Sequence, residues 1–471
     1  MKSMSRILYA LGIFIFFGIG QFSLNAYSTF FSPVSINSYE FYSIYPELFS
    51  SDKKVFFLSP FLQVSFKNSS LAQQFTVNEF DNFVLDQQGL GDINPLWFNL
   101  GNFEKNYTST VKFSPQFIRA GSGFHIHANF LKAFLQIDGA VLSMITNMRV
   151  QEFNSPENGI LPTTTLLQNE TIQNAIAAFT NPDMQYGKIT GPLHESGMEN
   201  IQCRLGAFHE HRMHSVTITT APYLQCSLPT GKKPDAQYLF APQVGNNHFG
   251  IGAGITTIFE GNSYKLLFDT VVQYNAKALE MRSFDLAANG KWSRYLLVFR
   301  DGYSDEVPGI NIFTQPTLIT PQAQFLIFAR YDKKVYNSTW FFTYSFFGHM
   351  REKILSVQDI QGQYGIFPLG APPTPLFPQT ASTARINQSA SGSGFDQVSF
   401  DQPAGTFVGL TTADLDISSG RASSWITNTI SAGWKYIGVH AVAEFAGALE
   451  LPWDNKGAFT WSIWAVVGYS F

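Results

Sequence analysis

The chain has 471 residues, with 30 Lys and Arg against 34 Asp and Glu and a formal net charge of −4. Charged residues make up 14% and aromatics 15%, whereas ordinary soluble domains carry roughly 25% charged residues. The balanced charge offers no basic field for nucleic acid, and a mean hydropathy near zero excludes a bundle of uniformly apolar transmembrane helices.

Lys2 and Arg6 precede an apolar run from Ile7 to Ile19, and the segment Gln21 to Ala26 follows it. This is the layout of a secretory signal peptide, expected over 1–26 with cleavage after Ala26. Its apolar core, about 13 residues, is too short to span a bilayer. Downstream the chain alternates. Strand side chains point to opposite faces with period two, and one face is apolar in segment after segment. Phe56, Leu58, Pro60, Leu62, Val64 and Phe66 share such a face, as do Val111, Phe113, Pro115 and Phe117. Phe124, Ile126, Ala128 and Phe130 interleave with His125, His127 and Asn129. Leu135, Ile137 and Val141 follow a turn near Lys132. Ile201 to Ala207, Val216 to Gln225 and Phe249 to Phe259 repeat the pattern, the last running into a Gly261-Asn262 hairpin signal. Tyr264 to Tyr274, Phe325 to Phe346 and Ile430 to Leu449 continue it, with Asn428 as a slip onto an apolar face. The end of the chain, Phe459, Trp461, Ile463, Ala465, Val467, Tyr469 and Phe471, alternates without a break.

That ending resembles the carboxy-terminal signature of bacterial outer-membrane β-barrels, which have a final aromatic residue and another two residues before it. The resemblance implies that Tyr469 and Phe471 form an assembly signal, read by the outer-membrane barrel assembly machinery. The expected fold is all-β: a transmembrane antiparallel barrel of about 14 strands, within a range of about 12–16. It occupies 55–471, after an N-terminal periplasmic segment over 27–54. Such barrels have short periplasmic turns and longer extracellular loops. The short joins near Lys132, Arg212, Gly261, Lys333 and Tyr436 are therefore assigned to the periplasm. The long connections 147–198, 227–246, 276–321 and 349–422 become extracellular loops. Strand parity asks for one more strand between those of Phe56 and Val111, and Asp92 to Leu100 is the candidate despite Pro95. Leu166, Leu167, Ile172, Ile176 and Phe179 lie near helical spacing, which predicts one short loop helix within Thr164 to Thr180.

Gly89-Leu-Gly-Asp-Ile93 and Leu228-Pro-Thr-Gly231 carry a second resemblance. It is to barrels associated with uptake of phenolic and other aromatic hydrocarbons, which are similar to the fatty-acid uptake channels. No ligand-site residue follows from these fragments.

Clusters that bear chemistry are few. His209-Glu-His-Arg-Met-His214 lies at a predicted turn and lacks the His-Glu-x-x-His spacing of a helical zinc site. His125 and His127 share a face but make only half a metal site, so no metal or cofactor is expected. Cys203 and Cys226 fall on the apolar faces of neighbouring strands, several residues out of register, which favours two free thiols. The polar faces supply the candidate pore lining: Lys112, Gln136, Asp138, Arg204, Lys265, Asp269, Gln273, Gln322, Gln324, Arg330, Lys435, His440 and Glu444. Both signs occur in this set, which argues against strong ion selectivity. The expected protein is a pore or channel in the outer membrane of a diderm bacterium. It passes small solutes passively, contacts outer-membrane lipid, binds no nucleic acid and is no enzyme; the sequence leaves its oligomeric state open. One alternative is a barrel-anchored structural or surface-interaction protein. Another is an outer-membrane lipase, which needs a Ser-His-acid set at the wall.

Overall fold

The computed structural model describes Thr29 and residues 54–470, except 67, 68, 79, 87–91, 99, 101–106, 156–171, 173, 302–305, 337, 367–406, 439 and 454–457. The signal-peptide region, most of 27–54 and Phe471 lie outside the described residues. Twelve strands close an antiparallel wall. In chain order they are β1 (Lys54–Ser65), β2 (Gln116–Phe130), β3 (Ala133–Asn147), β4 (Ile201–Ala207), β5 (Val216–Leu228) and β6 (Gly250–Glu260). β7 (Tyr264–Asn275), β8 (Gln322–Val335), β9 (Ser338–His349), β10 (Trp425–Ile437), β11 (Ala441–Pro452) and β12 (Thr460–Ser470) complete it. Each strand pairs with its successor, and β12 pairs back onto β1 from Val55↔Ser470 to Ser65↔Thr460. The short strands Leu193–Met198 and His209–Met213 extend the line of β4, pairing with β3 and β5 respectively.

Twelve lies at the low end of the expected range, and two segments account for the difference. Thr108–Phe113 leaves the wall and pairs instead with Asn82–Asp86 and Val150–Phe153. Its alternation runs on into β2 in sequence, but the chain is not in strand at Ser114 and Pro115. Proline has no N–H to give a ladder, so the apparent single strand is two. Asp92 to Leu100 is no wall strand either; it holds a 3-10 turn at Pro95–Phe98.

The expected faces are those observed. Phe56, Leu58, Ile126, Leu224, Trp340, Phe342, Phe445 and Val467 point outward and are exposed, while their inward neighbours Phe57, His125, Gln225, Phe341, Glu444 and Val466 are buried. Asn428, the slip on the apolar face, accepts a hydrogen bond from Tyr344 Oη at 2.6 Å, so its polar group does not meet lipid unpaired. Some inward positions must be small. A Cβ on Gly254 of β6 would collide with the Tyr223 ring, which crosses that glycine to reach Asp269 on β7.

The joins at one rim are short: 131–132, 214–215, 261–263, 336–337 and 438–440. At the opposite rim the connections 66–115, 148–192, 229–249, 276–321 and 350–424 are long, and their described residues fold together as a cap. The cap is built of small sheets, including Ala278–Ser283 with Thr314–Thr320 and Lys353–Val357. Trp292 sits at its centre, packed on Phe83, Phe113, Phe179 and Tyr295. The indole N–H of Trp292 donates to Phe75 O at 2.7 Å. Of the predicted loop helix, Ala175–Phe179 is formed, and Asn174 caps it by accepting from Ala177 N at 2.8 Å. Phe179 and Ile172 are buried in the cap core, whereas Ile176 is exposed. The same core reaches the inward side chains Phe117, Leu142 and Met144, so the cap seats on the inside of the wall. Thr29 also meets it, donating from its N–H to Ser419 O at 2.9 Å and from its hydroxyl to Ser283 O at 2.5 Å.

This register has a direct consequence. Phe268 faces outward at mid-strand beside the buried, inward Asp269, and an arginine near the bilayer centre on that side costs about 2–4 kcal/mol. Phe268→Arg should lower the urea midpoint of the liposome-inserted barrel, while Phe268→Leu should leave it nearly unchanged. An unaltered midpoint for the arginine variant would mean that the strand is rotated.

Candidate functional site: the bore and its mouth

The inward faces of the wall bring a dense polar array into the bore. Of the residues expected to line a pore, Gln136, Asp138, Arg204, Asp269, Gln273, Arg330, Lys435 and Glu444 point inward and are buried. Lys265, Gln322 and Gln324 share the inward face and are half-buried nearer the rims. Lys112 and His440 are corrections. Lys112 belongs to the cap strand that departs before Pro115, and it pairs with Asp81 at 3.1 Å. His440 lies in the short turn between β10 and β11, its ring 5.9 Å from that of Tyr469.

Three networks fill the bore from cap to short-turn rim. Near the cap, Arg119 forms an ion pair with Glu199 and donates to Gln63 Oε1 at 2.9 Å. Gln63 Nε2 in turn donates to Glu450 Oε2 at 3.1 Å. Midway, Tyr223 Oη donates to Asp269 at 3.0 Å and Thr256 Oγ1 donates to the same carboxylate at 2.7 Å. Arg204 Nε donates to Gln225 Oε1 at 2.8 Å, and Gln225 Nε2 to Gln273 Oε1 at 2.6 Å. His125 pairs with Asp138, which also accepts from Gln136 Nε2 at 2.7 Å. Toward the other rim, Arg330 of β8 donates to Glu444 of β11 at 2.8 Å and to Asp332 at 2.7 Å. Lys435 Nζ reaches Asp332 at 2.6 Å. Two strands stand between β8 and β11, so the Arg330–Glu444 pair crosses the bore.

Arg119, Gln63, Asp332 and Tyr223 are functional neighbours missing from the sequence reading. Arg119 was legible, since it shares the odd-numbered face of His125 and His127. Glu199 was not, because with Asn200 it occupies the break between Leu193–Met198 and β4.

At the mouth, two cavities lie between cap and wall. The larger, about 260 Å³, is lined by residues that include His194, Glu195, Lys232, Asp235 and Gln243. The smaller, about 70 Å³, is lined by Asn200, Asn246, His248, Gln273, His349 and Glu352 among others. Arg282 donates to Glu280 at 2.8 Å and to Glu352 at 3.1 Å, and His248 Nε2 lies 2.9 Å from Glu280. Glu352 also accepts from Ala422 N at 2.8 Å. Burial pushes the Glu352 carboxyl above its usual range, opposed by Arg282 and reinforced by Glu280.

The remaining sequence candidates resolve simply. His209 to Met213 is an exposed strand, and His127 Nε2 bonds Asn129 Oδ1 at 2.8 Å. Among the described residues no three potential ligands gather as a metal site. Cys203 and Cys226 are free and directly opposite in register across β4 and β5, not several residues apart. The pairing keeps one register through the turn at His214 and Ser215, from Val216↔Met213 to Cys226↔Cys203, so a count made from a turn near Arg212 misses it by several residues. On the outer face Ser143 Oγ lies 2.7 Å from His194 Nε2. Among the described residues, Ser196 Oγ is the other side-chain group near that nitrogen, at 3.4 Å.

No family model and no curated protein sequence matches the chain. Among solved structures, the COG4313 outer membrane channel from Pseudomonas putida F1 aligns at 8% identity and TM-score 0.36, covering 91% of this chain and 100% of that one. The Pseudomonas putida toluene transporter TodX aligns at 8% identity and TM-score 0.27, covering 95% and 98%. Pseudomonas aeruginosa OprD aligns at 7% identity and TM-score 0.25, covering 89% and 95%. The wall itself fixes the class. A closed antiparallel barrel, apolar outside and polar within, satisfies its backbone in lipid, and this chain has the fold of a membrane-spanning β-barrel.

Removing one partner of a buried ion pair strands the other charge at a cost of about 3–5 kcal/mol. Glu444→Ala should therefore weaken the barrel more than loss of the exposed Glu260 from its pair with the half-buried Lys265. The temperature at which the folded form loses its fast electrophoretic mobility reads this out. Equal temperatures for Glu444→Ala and Glu260→Ala would show that the crossing pair does not brace the bore.

Proposed function

We propose that the protein is an outer-membrane channel for the passive passage of small polar solutes, with its cap at the extracellular side and its short turns in the periplasm. The observation that supports this reading is the character of the bore. Arg119, Arg204, Asp269, Arg330, Lys435 and Glu444 are all held inside the wall, where each charge carries a desolvation cost. A purely anchoring barrel could fill the same volume with apolar side chains at less cost. Both signs line the bore, so the passage discriminates by size and hydrogen bonding more than by sign. The filled networks and the seated cap describe a low-conductance resting state. On this reading Tyr469 and Phe471 belong to the assembly signal, and 1–26 is removed on export.

Planar bilayers holding the purified barrel should give discrete openings of small conductance, with weak preference between potassium and chloride. A variant lacking 367–406, which lie between β9 and β10 in the chain, should still insert. Complete silence from folded wild type and variant would favour the surface-interaction alternative.

A further inference from the structure

Three residues, Pro234, Gln243 and Arg282, line both mouth cavities. The two spaces therefore abut, and Arg282 stands at their junction. Its side chain is buried, held by Glu280 at 2.8 Å and by Glu352 at 3.1 Å. From the inner cavity the polar surface continues downward. Gln273, which lines it, connects through Gln225 to Arg204. Ser227, another lining residue, is the register partner of Gln202. Gln202 is fully buried, and neither end of its amide has a hydrogen-bond partner; His349 Nδ1, in the inner cavity, has none either. Buried polar groups are nearly always satisfied by protein or water. These orphaned groups thus mark a hydrated course.

We infer that the two cavities are successive chambers of one solute route between cap and wall, with Arg282 as the gate that its carboxylate partners hold shut. This inference rests on the channel reading and names its solute class. The inner chamber presents amides, hydroxyls and imidazoles from Asn200, Ser227, Gln243, Asn246, His248 and Gln273. Such a lining exchanges hydrogen bonds with a small hydroxylated or amide-bearing solute. Phe347 and Trp425 line it too, but a hydrocarbon packed on those rings would leave the polar groups unpaired. The phenolic-hydrocarbon resemblance of the short turn motifs therefore does not extend to the chemistry of this route.

The test is swelling of liposomes that contain the full-length barrel, with arabinose as the permeant. Glu352→Gln keeps the shape of the clasp but weakens its hold on Arg282, and should raise the swelling rate several-fold. Gln243→Trp fills the junction and should lower it several-fold. Heat-resistant mobility on gels confirms that each variant is folded. If wild type passes arabinose and folded Gln243→Trp passes it equally fast, the route lies elsewhere and this inference fails while the channel reading stands. If folded wild type and Glu352→Gln pass neither arabinose nor ions, the channel reading itself fails. Should Gln243→Trp not fold, Pro234→Trp at the same junction carries the same expectation and the same refutation.

Discussion

The pairing of the last strand with the first is the interaction on which everything else depends. In hydrocarbon an unpaired N–H or C=O costs several kcal/mol, so a sheet can cross a membrane only without edges. The ladder from Val55↔Ser470 to Ser65↔Thr460 removes the two edges that a linear run of strands would leave. Closure also sorts the side chains. Once the sheet is a cylinder, period two sends Leu58, Trp340 and Val467 to lipid and Phe57, Phe341 and Val466 inward. The seam itself is packed for close approach. Phe57 lies over Gly468, where a Cβ would overlap its ring.

Closure creates an interior that must then be filled. The short-turn half is braced by paired charges, of which the Arg330–Glu444 contact is the longest reach. The guanidinium of Arg330 also lies 4.0 Å from the Phe341 ring centre, so an apolar wall position helps hold the charge. The long-loop half receives the cap, whose aromatic core rests on Phe117, Leu142 and Met144. Between them lie the mouth cavities and their Arg282 clasp. A wall, a braced bore and a seated cap with a hydrophilic margin form a structure suited to restricting passage.

The outer face of this fold was legible because it depends on local period alone. Phe124 against His125, Ile430 against Ser431 and Trp461 against Ser462 needed no knowledge of partners. Hairpin joins were legible too, since short turns are local. What depends on tertiary contact was not. The Val111 to Phe117 alternation reads as one strand, yet the chain leaves the wall at Ser114 and Pro115. The cysteine register was lost because the hairpin turns at His214 and Ser215, a little beyond the join near Arg212 that the alternation suggests. Most of the candidate lining was placed on the correct face, but the sequence gives no sign that Asp269 is clasped by Tyr223 and Thr256. The cap was seen only as loops, because contacts such as Trp292 to Phe75 join residues far apart in the chain.

The central claim is that one face of this wall meets lipid while the other encloses a packed polar bore. Trp340 and Trp464 report on the two faces, being 59% and 3% exposed. The most direct measurement is tryptophan fluorescence in liposomes with brominated acyl chains, using folded variants that retain one of these two indoles. Trp340 should be strongly quenched and Trp464 scarcely affected. Equal quenching of both, or stronger quenching of Trp464, would contradict the barrel described here.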